Sequence, residues 1–72
     1  MSARSTELRE AALMATLNVL PGPQEAGIRL AEVHGRFGIG SSLTTAGRLA
    51  VLCRRGLATF TDGPVRLYRR AG

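Results

Sequence analysis

Apolar residues recur at helical spacing through the first third of the chain. Leu8, Ala12, Ala15 and Val19 form one stripe, joined by Leu13, Met14, Leu17 and Leu20. A repeat of three to four residues marks an amphipathic helix, which predicts a first helix over residues 5–20. Ser5 or Thr6 can accept its orphan amide bonds, and Glu7 and Glu10 fall in or near its first turn, where the helix dipole favours acids. Pro21-Gly22-Pro23 closes it, because proline cannot continue the hydrogen-bond ladder.

A second, short helix is predicted over 28–37, with Ile28, Leu30, Ala31, Val33 and Phe37 inward and Arg29, Glu32 and Arg36 toward water. Gly38-Ile39-Gly40 then forms a tight connector, with Ile39 expected in the core. Ser41 or Ser42 caps a third helix over 42–55, whose inward face reads as Leu43, Ala46, Leu49, Ala50, Leu52 and Cys53. Gly56 stops it at a position where a left-handed residue is cheap. Residues 57–61 and 65–70 carry β-branched and aromatic side chains around Asp62-Gly63-Pro64, a hairpin signal whose proline demands a loop of three or more residues. The expected fold class is therefore mainly α with a small β-hairpin, one domain across residues 1–72.

Charge sharpens this picture. Net charge is +5 over 72 residues, and it is unevenly placed. From Arg36 onward there are seven arginines against one acid, Asp62, whereas the preceding residues hold three arginines and four glutamates. A basic half of this kind is the electrostatic footprint of a nucleic-acid binder, which gains affinity from counterion release. There is no lysine. That bias fits bidentate arginine contacts to phosphate and guanine, and it equally fits a GC-rich genome.

Size and composition exclude other classes. A chain this short buries only about 60% of its unfolded surface, which leaves little room for a deep active site. No apolar run approaches the ~20 residues of a membrane span, and the first ten residues lack the pattern of a signal peptide. The single cysteine, Cys53, cannot form an internal disulfide, consistent with a reducing cytoplasm. His34 has no second histidine or cysteine at ligand spacing, so no metal or cofactor is expected, and no catalytic constellation is present.

Two helices joined by a glycine-bearing turn, a third helix ending in Arg-Arg-Gly-Leu and a basic hairpin resemble the winged helix-turn-helix family of bacterial, archaeal and phage regulators. The resemblance spans residues 6–70, and its most telling piece is Leu49-Ala50-Val51-Leu52-Cys53-Arg54-Arg55-Gly56-Leu57. It implies a three-helix core whose third helix enters the major groove of double-stranded DNA while the wing, residues 57–70, reaches the backbone. Carried onto this chain, it gives DNA contacts from Ser41, Ser42, Thr44, Thr45, Arg48 and Arg55 on the third helix. Arg66, Arg69 and Arg70 follow on the wing, with Arg36 at the end of the second helix. Arg48 is the expected base reader, since an arginine fork matches guanine O6 and N7. Gly47 departs from the pattern, costing roughly 1 kcal/mol mid-helix, and gives room for close approach of another helix or of DNA. The implied function is sequence-specific DNA binding in transcriptional regulation, with a homodimer formed through Leu13, Met14 and Leu17 of the first helix unless core packing consumes them. The rival expectation is a protein–protein adaptor of the same fold, whose wing pairs with a partner's strand.

Overall fold

The computed structural model describes Ala3–Gly72, with side chains from Ser5 onward. Three helices come first, α1 (Ala3–Asn18), α2 (Leu30–Arg36) and α3 (Ser42–Arg54), followed by β1 (Ala58–Thr61) and β2 (Leu67–Arg70). The layout is that of a small three-helix winged helix, mainly α with one hairpin.

α1 begins two residues before its predicted start, so Ser5 and Thr6 lie inside the helix rather than capping it, and its first turn holds no acid. Beyond Asn18 the chain tightens: Val19 and Leu20 donate to the carbonyls of Thr16 and Leu17, three residues back. Leu13, Thr16 and Leu20 are buried, and the Thr16 hydroxyl donates to the Ala12 carbonyl at 2.8 Å. That bond satisfies a polar group at a position the apolar stripe would otherwise hold. Of the expected dimer surface, the core takes Leu13 and packs partly against Leu17, leaving Met14 exposed, with Leu8 one and a half turns before it.

The second helix is shorter than its apolar pattern suggested. Ile28 exchanges two backbone hydrogen bonds with Tyr68, at 2.9 and 2.7 Å, which adds an antiparallel bridge to the outside of β2. Extended backbone at Ile28 cannot also open a helix, so α2 starts at Leu30 with Arg29 as its N-cap residue. Only Val33 of α2 is fully buried, and Ala31 faces solvent. In the connector, Ile39 is 64% exposed instead of filling the core, and Gly40 adopts φ +90°.

α3 is capped by Ser41, whose hydroxyl accepts from the Thr44 amide at 3.4 Å. Its far end closes with Gly56 at φ +77°. There Leu57 donates to the Leu52 carbonyl and Gly56 to that of Cys53, the paired bonds of a Schellman stop. The hairpin pairs Ala58 with Arg70, Thr59 with Arg69, Phe60 with Tyr68 and Thr61 with Leu67. Its loop, residues 62–66, is longer than two residues, as Pro64 requires.

Leu13, Leu20, Val33, Leu49, Leu52 and Ala58 form the core, one cluster drawing on every helix and on β1. Each large aliphatic side chain removed from water this way contributes about 1.5–3 kcal/mol. Among the described residues no helix is long and apolar enough to cross a membrane.

Candidate nucleic-acid interface

The rotation of α3 decides what it can offer a partner. Thr45, Leu49 and Leu52 are its buried residues. Their spacing of four and three places them on one side and turns Leu43, Gly47, Ala50 and Arg54 outward. Leu43 is 81% exposed, and Gly47, Ala50 and Arg54 are exposed with it. Leu43 and Ala50 therefore reverse their expected inward placement. Composition explains the misreading: Leu43 and Leu52 cannot both face the core, and the buried hydroxyl of Thr45 carries no apolar signal.

Thr45 is a correction among the expected DNA contacts. It is 0% exposed, and its Oγ1 lies 2.7 Å from Nδ1 of His34 on α2. This bond ties α2 to α3 at the centre of the helix-turn-helix, which also gives the solitary histidine its role. Gly38 presses on the same ring: a Cβ there would overlap the His34 imidazole and its carbonyl oxygen.

Arg48 departs from its expected outward placement. It is half-buried on the side of α3 facing α1, with its guanidinium 5.7 Å from the centre of the Phe37 ring. Its Nη1 is buried and has no hydrogen-bond partner among the described residues. In this arrangement the expected base reader is not presented outward. Ser41, Ser42 and Thr44 remain exposed at the start of α3, although the Ser41 hydroxyl is engaged by capping.

Several expected phosphate contacts are partnered inside the molecule. Arg55 makes a two-pronged pair with Glu10 of α1, both contacts at 2.8 Å. That bond holds the Glu10 carboxyl below the ordinary glutamate range and raises Arg55 in turn. Arg36 donates to Glu32 at 2.7 Å and to the Val19 carbonyl at 3.0 Å, joining α2 to the end of α1. Arg69 donates to Thr61 across the outer face of the hairpin at 3.1 Å. Arg70 is exposed and reaches toward the loop at Gly22.

What the structure brings together is a trough between α3 and the hairpin. Ala46, Ala50, Cys53 and Arg54 line it from α3; Phe60, Arg66 and Tyr68 line it from the wing. Phe60 and Tyr68 meet at 6.1 Å with ring planes inclined by 55°. The Arg66 guanidinium sits 4.2 Å over the Phe60 ring and bonds Asp62 at 2.8 Å. Hydrogen bonds to Asp62 and then Tyr68 hold Arg66 still more firmly charged. Burial pushes the Cys53 thiol up, against an opposing pull from Arg66, so this cysteine is a poor nucleophile.

Arg54 and Phe60 line this trough and are not among the contacts expected from the sequence. Arg54 and Arg55 are adjacent, so a helix turns them about 100° apart and only one can share the face of Gly47 and Ala50. Arg54 holds that face, while Arg55, expected to face outward, turns to Glu10 of α1. Among the described residues no cluster of histidine, cysteine and acids could hold a metal ion. No family model, curated protein or solved structure matches the chain.

Proposed function

We propose that this protein binds double-stranded DNA and acts as a small cytoplasmic transcriptional regulator of the winged helix-turn-helix kind. α3 lies along a groove, and one phosphate strand runs in the trough between α3 and the hairpin. The observation that carries this reading is the pair of guanidiniums on that trough's two walls, Arg54 on α3 and Arg66 on the wing. Small residues, Ala46 and Ala50, leave the floor open, while Phe60 fixes Arg66 from below. Arg69 on the outer face of the wing and the exposed amides around Ser42 add contacts suited to phosphate. Leu43 and Ala50 on the outward stripe suit thymine methyl groups. A single copy covers few base pairs, so a homodimer on a repeated site goes with this reading, and exposed Met14 leaves α1 an apolar contact for it.

Salt titration of binding to a mixed-sequence duplex tests the proposal. Three or so phosphate contacts give a slope of log affinity against log salt of about −3. Arg54→Ala and Arg66→Ala should each flatten that slope by about one unit.

The adaptor reading has its own support, the apolar side chains Leu43, Ile39, Phe60 and Val65, all exposed around α3 and the wing. Absence of duplex binding at low salt, with the fold intact, favours it over DNA.

A further inference from the structure

A second depression lies between α1 and α3, on the other side of α3 from the trough, and shares Gly47 with the outward stripe. It is an open cleft of about 710 Å³, within the size range of small-molecule sites. Leu8 and Ala12 of α1 and Gly47 and Val51 of α3 supply apolar lining. Its charged lining is entirely cationic: Arg9, Arg48 and Arg55, with no carboxylate. Arg55 is already held by Glu10.

Two independent details concern an occupant. Nη1 of Arg48, a lining residue, is buried without a hydrogen-bond acceptor among the described residues, a state that disfavours the arrangement until an acceptor arrives. Gly47 sits mid-helix, where glycine is disfavoured relative to alanine, yet a Cβ there would meet nothing within 4 Å. No neighbouring side chain or backbone requires the missing methyl. A group lying directly on the α3 backbone would.

We propose that the α1–α3 cleft binds a small organic anion with an apolar body, a medium-chain monocarboxylate. Its chain lies against Leu8, Ala12, Val51 and the bare backbone of Gly47. Its carboxylate is bonded by Arg48, whose terminal torsions turn to present Nη1, and is attracted by Arg9. The bonds are charge-assisted, the strong class of protein hydrogen bond. Binding needs no DNA, so this site stands or falls apart from the DNA reading.

The test is an amide-shift titration of the full chain, without DNA, using decanoate below its micelle-forming concentration and 1-decanol as the uncharged control. Saturable shifts at Gly47, Val51 and Ala12 are expected with decanoate, at least tenfold weaker with decanol. Arg48→Gln should weaken decanoate by about tenfold, the loss of one charge-assisted bond, while Arg48→Lys retains most of the affinity. Gly47→Leu, whose side chain fills the cleft, should abolish binding while thermal melting confirms the fold. No saturable shifts, or equal binding of decanol, overturns the proposal. So does a shift of the same amides with protein concentration alone, which assigns the cleft to a second copy.

Discussion

Replacing Thr45 by valine separates a buried latch from a DNA contact. The two side chains are nearly the same size, so packing around Leu49 and Leu52 is retained and only the hydroxyl is lost. That hydroxyl is fully enclosed and 2.7 Å from Nδ1 of His34. A hydrogen bond of this kind contributes about 0.5–1.5 kcal/mol, and leaving its partner unpaired costs about 1–3 kcal/mol. His34 is half-buried and can recover part of its hydration, and the new methyl gains from burial, so a net loss of about 1–2 kcal/mol is expected. For a domain of this size each kcal/mol lowers Tm by about 4–8 °C. Circular dichroism melts and urea titrations read the loss directly. In a double-mutant cycle with His34→Ala, the two changes should couple, since both remove the same bond. Duplex affinity, measured well below the melting point, should not change. Unaltered stability together with weakened duplex binding would refute the argument, because the hydroxyl would then be acting outward.

Gly47→Ala should raise stability by up to about 1 kcal/mol, because the added methyl meets no neighbour and the helix loses its most flexible residue; urea midpoints check it. Gly38→Ala should do the opposite, by about 1–3 kcal/mol, since the new Cβ strikes the His34 ring and carbonyl and disturbs the same latch. Glu10 is held below its ordinary range by Arg55, so its contribution is present above the ordinary glutamate range and fades as pH falls toward the depressed folded value. Stability curves of wild type and Glu10→Gln should therefore converge in acid and separate toward neutrality, the wild type being the more stable. Leu52→Ala, at a site with no exposed surface, should cost about 3–5 kcal/mol, a large share of the roughly 5–15 kcal/mol that holds a domain folded; urea midpoints read it.

The order of elements was legible because each had a local signature. Pro21-Gly22-Pro23 ended α1, Ser41 opened α3, and Gly56 closed it with the left-handed turn its sequence position implied. Element edges and facing were less so, for reasons that lie outside any local window. Ile28 left the second helix because a strand forty residues away offers it two backbone bonds. α3 is rotated because Thr45 spends its hydroxyl on His34, so a polar side chain takes a core position and Leu43 is displaced to the surface. At the hydroxyl-rich start of α3, Ser41, Ser42 and Thr44 are exposed, as their polarity implies. The arginines are the least legible in sequence: a guanidinium on a long stem finds Glu10, Phe37 or Asp62 according to tertiary placement.

That rotation also constrains any recognition of DNA. The outward stripe of α3, Leu43, Gly47, Ala50 and Arg54, holds one hydrogen-bonding side chain, and on the DNA reading Arg54 is committed to phosphate. Methyl contacts distinguish thymine, but no arginine fork is left on that stripe to read guanine. On the DNA reading, most of the affinity must then come from phosphates, through Arg54, Arg66 and Arg69, and that part is indifferent to sequence. Specificity has two remaining sources: the deformability of the duplex beneath the wing, and the fixed spacing imposed by a second copy. Symmetry adds selectivity without adding base contacts, because two weak readings at a set separation must be satisfied together. A protein built this way should therefore discriminate poorly among single half-sites and sharply among spacings of a repeated one.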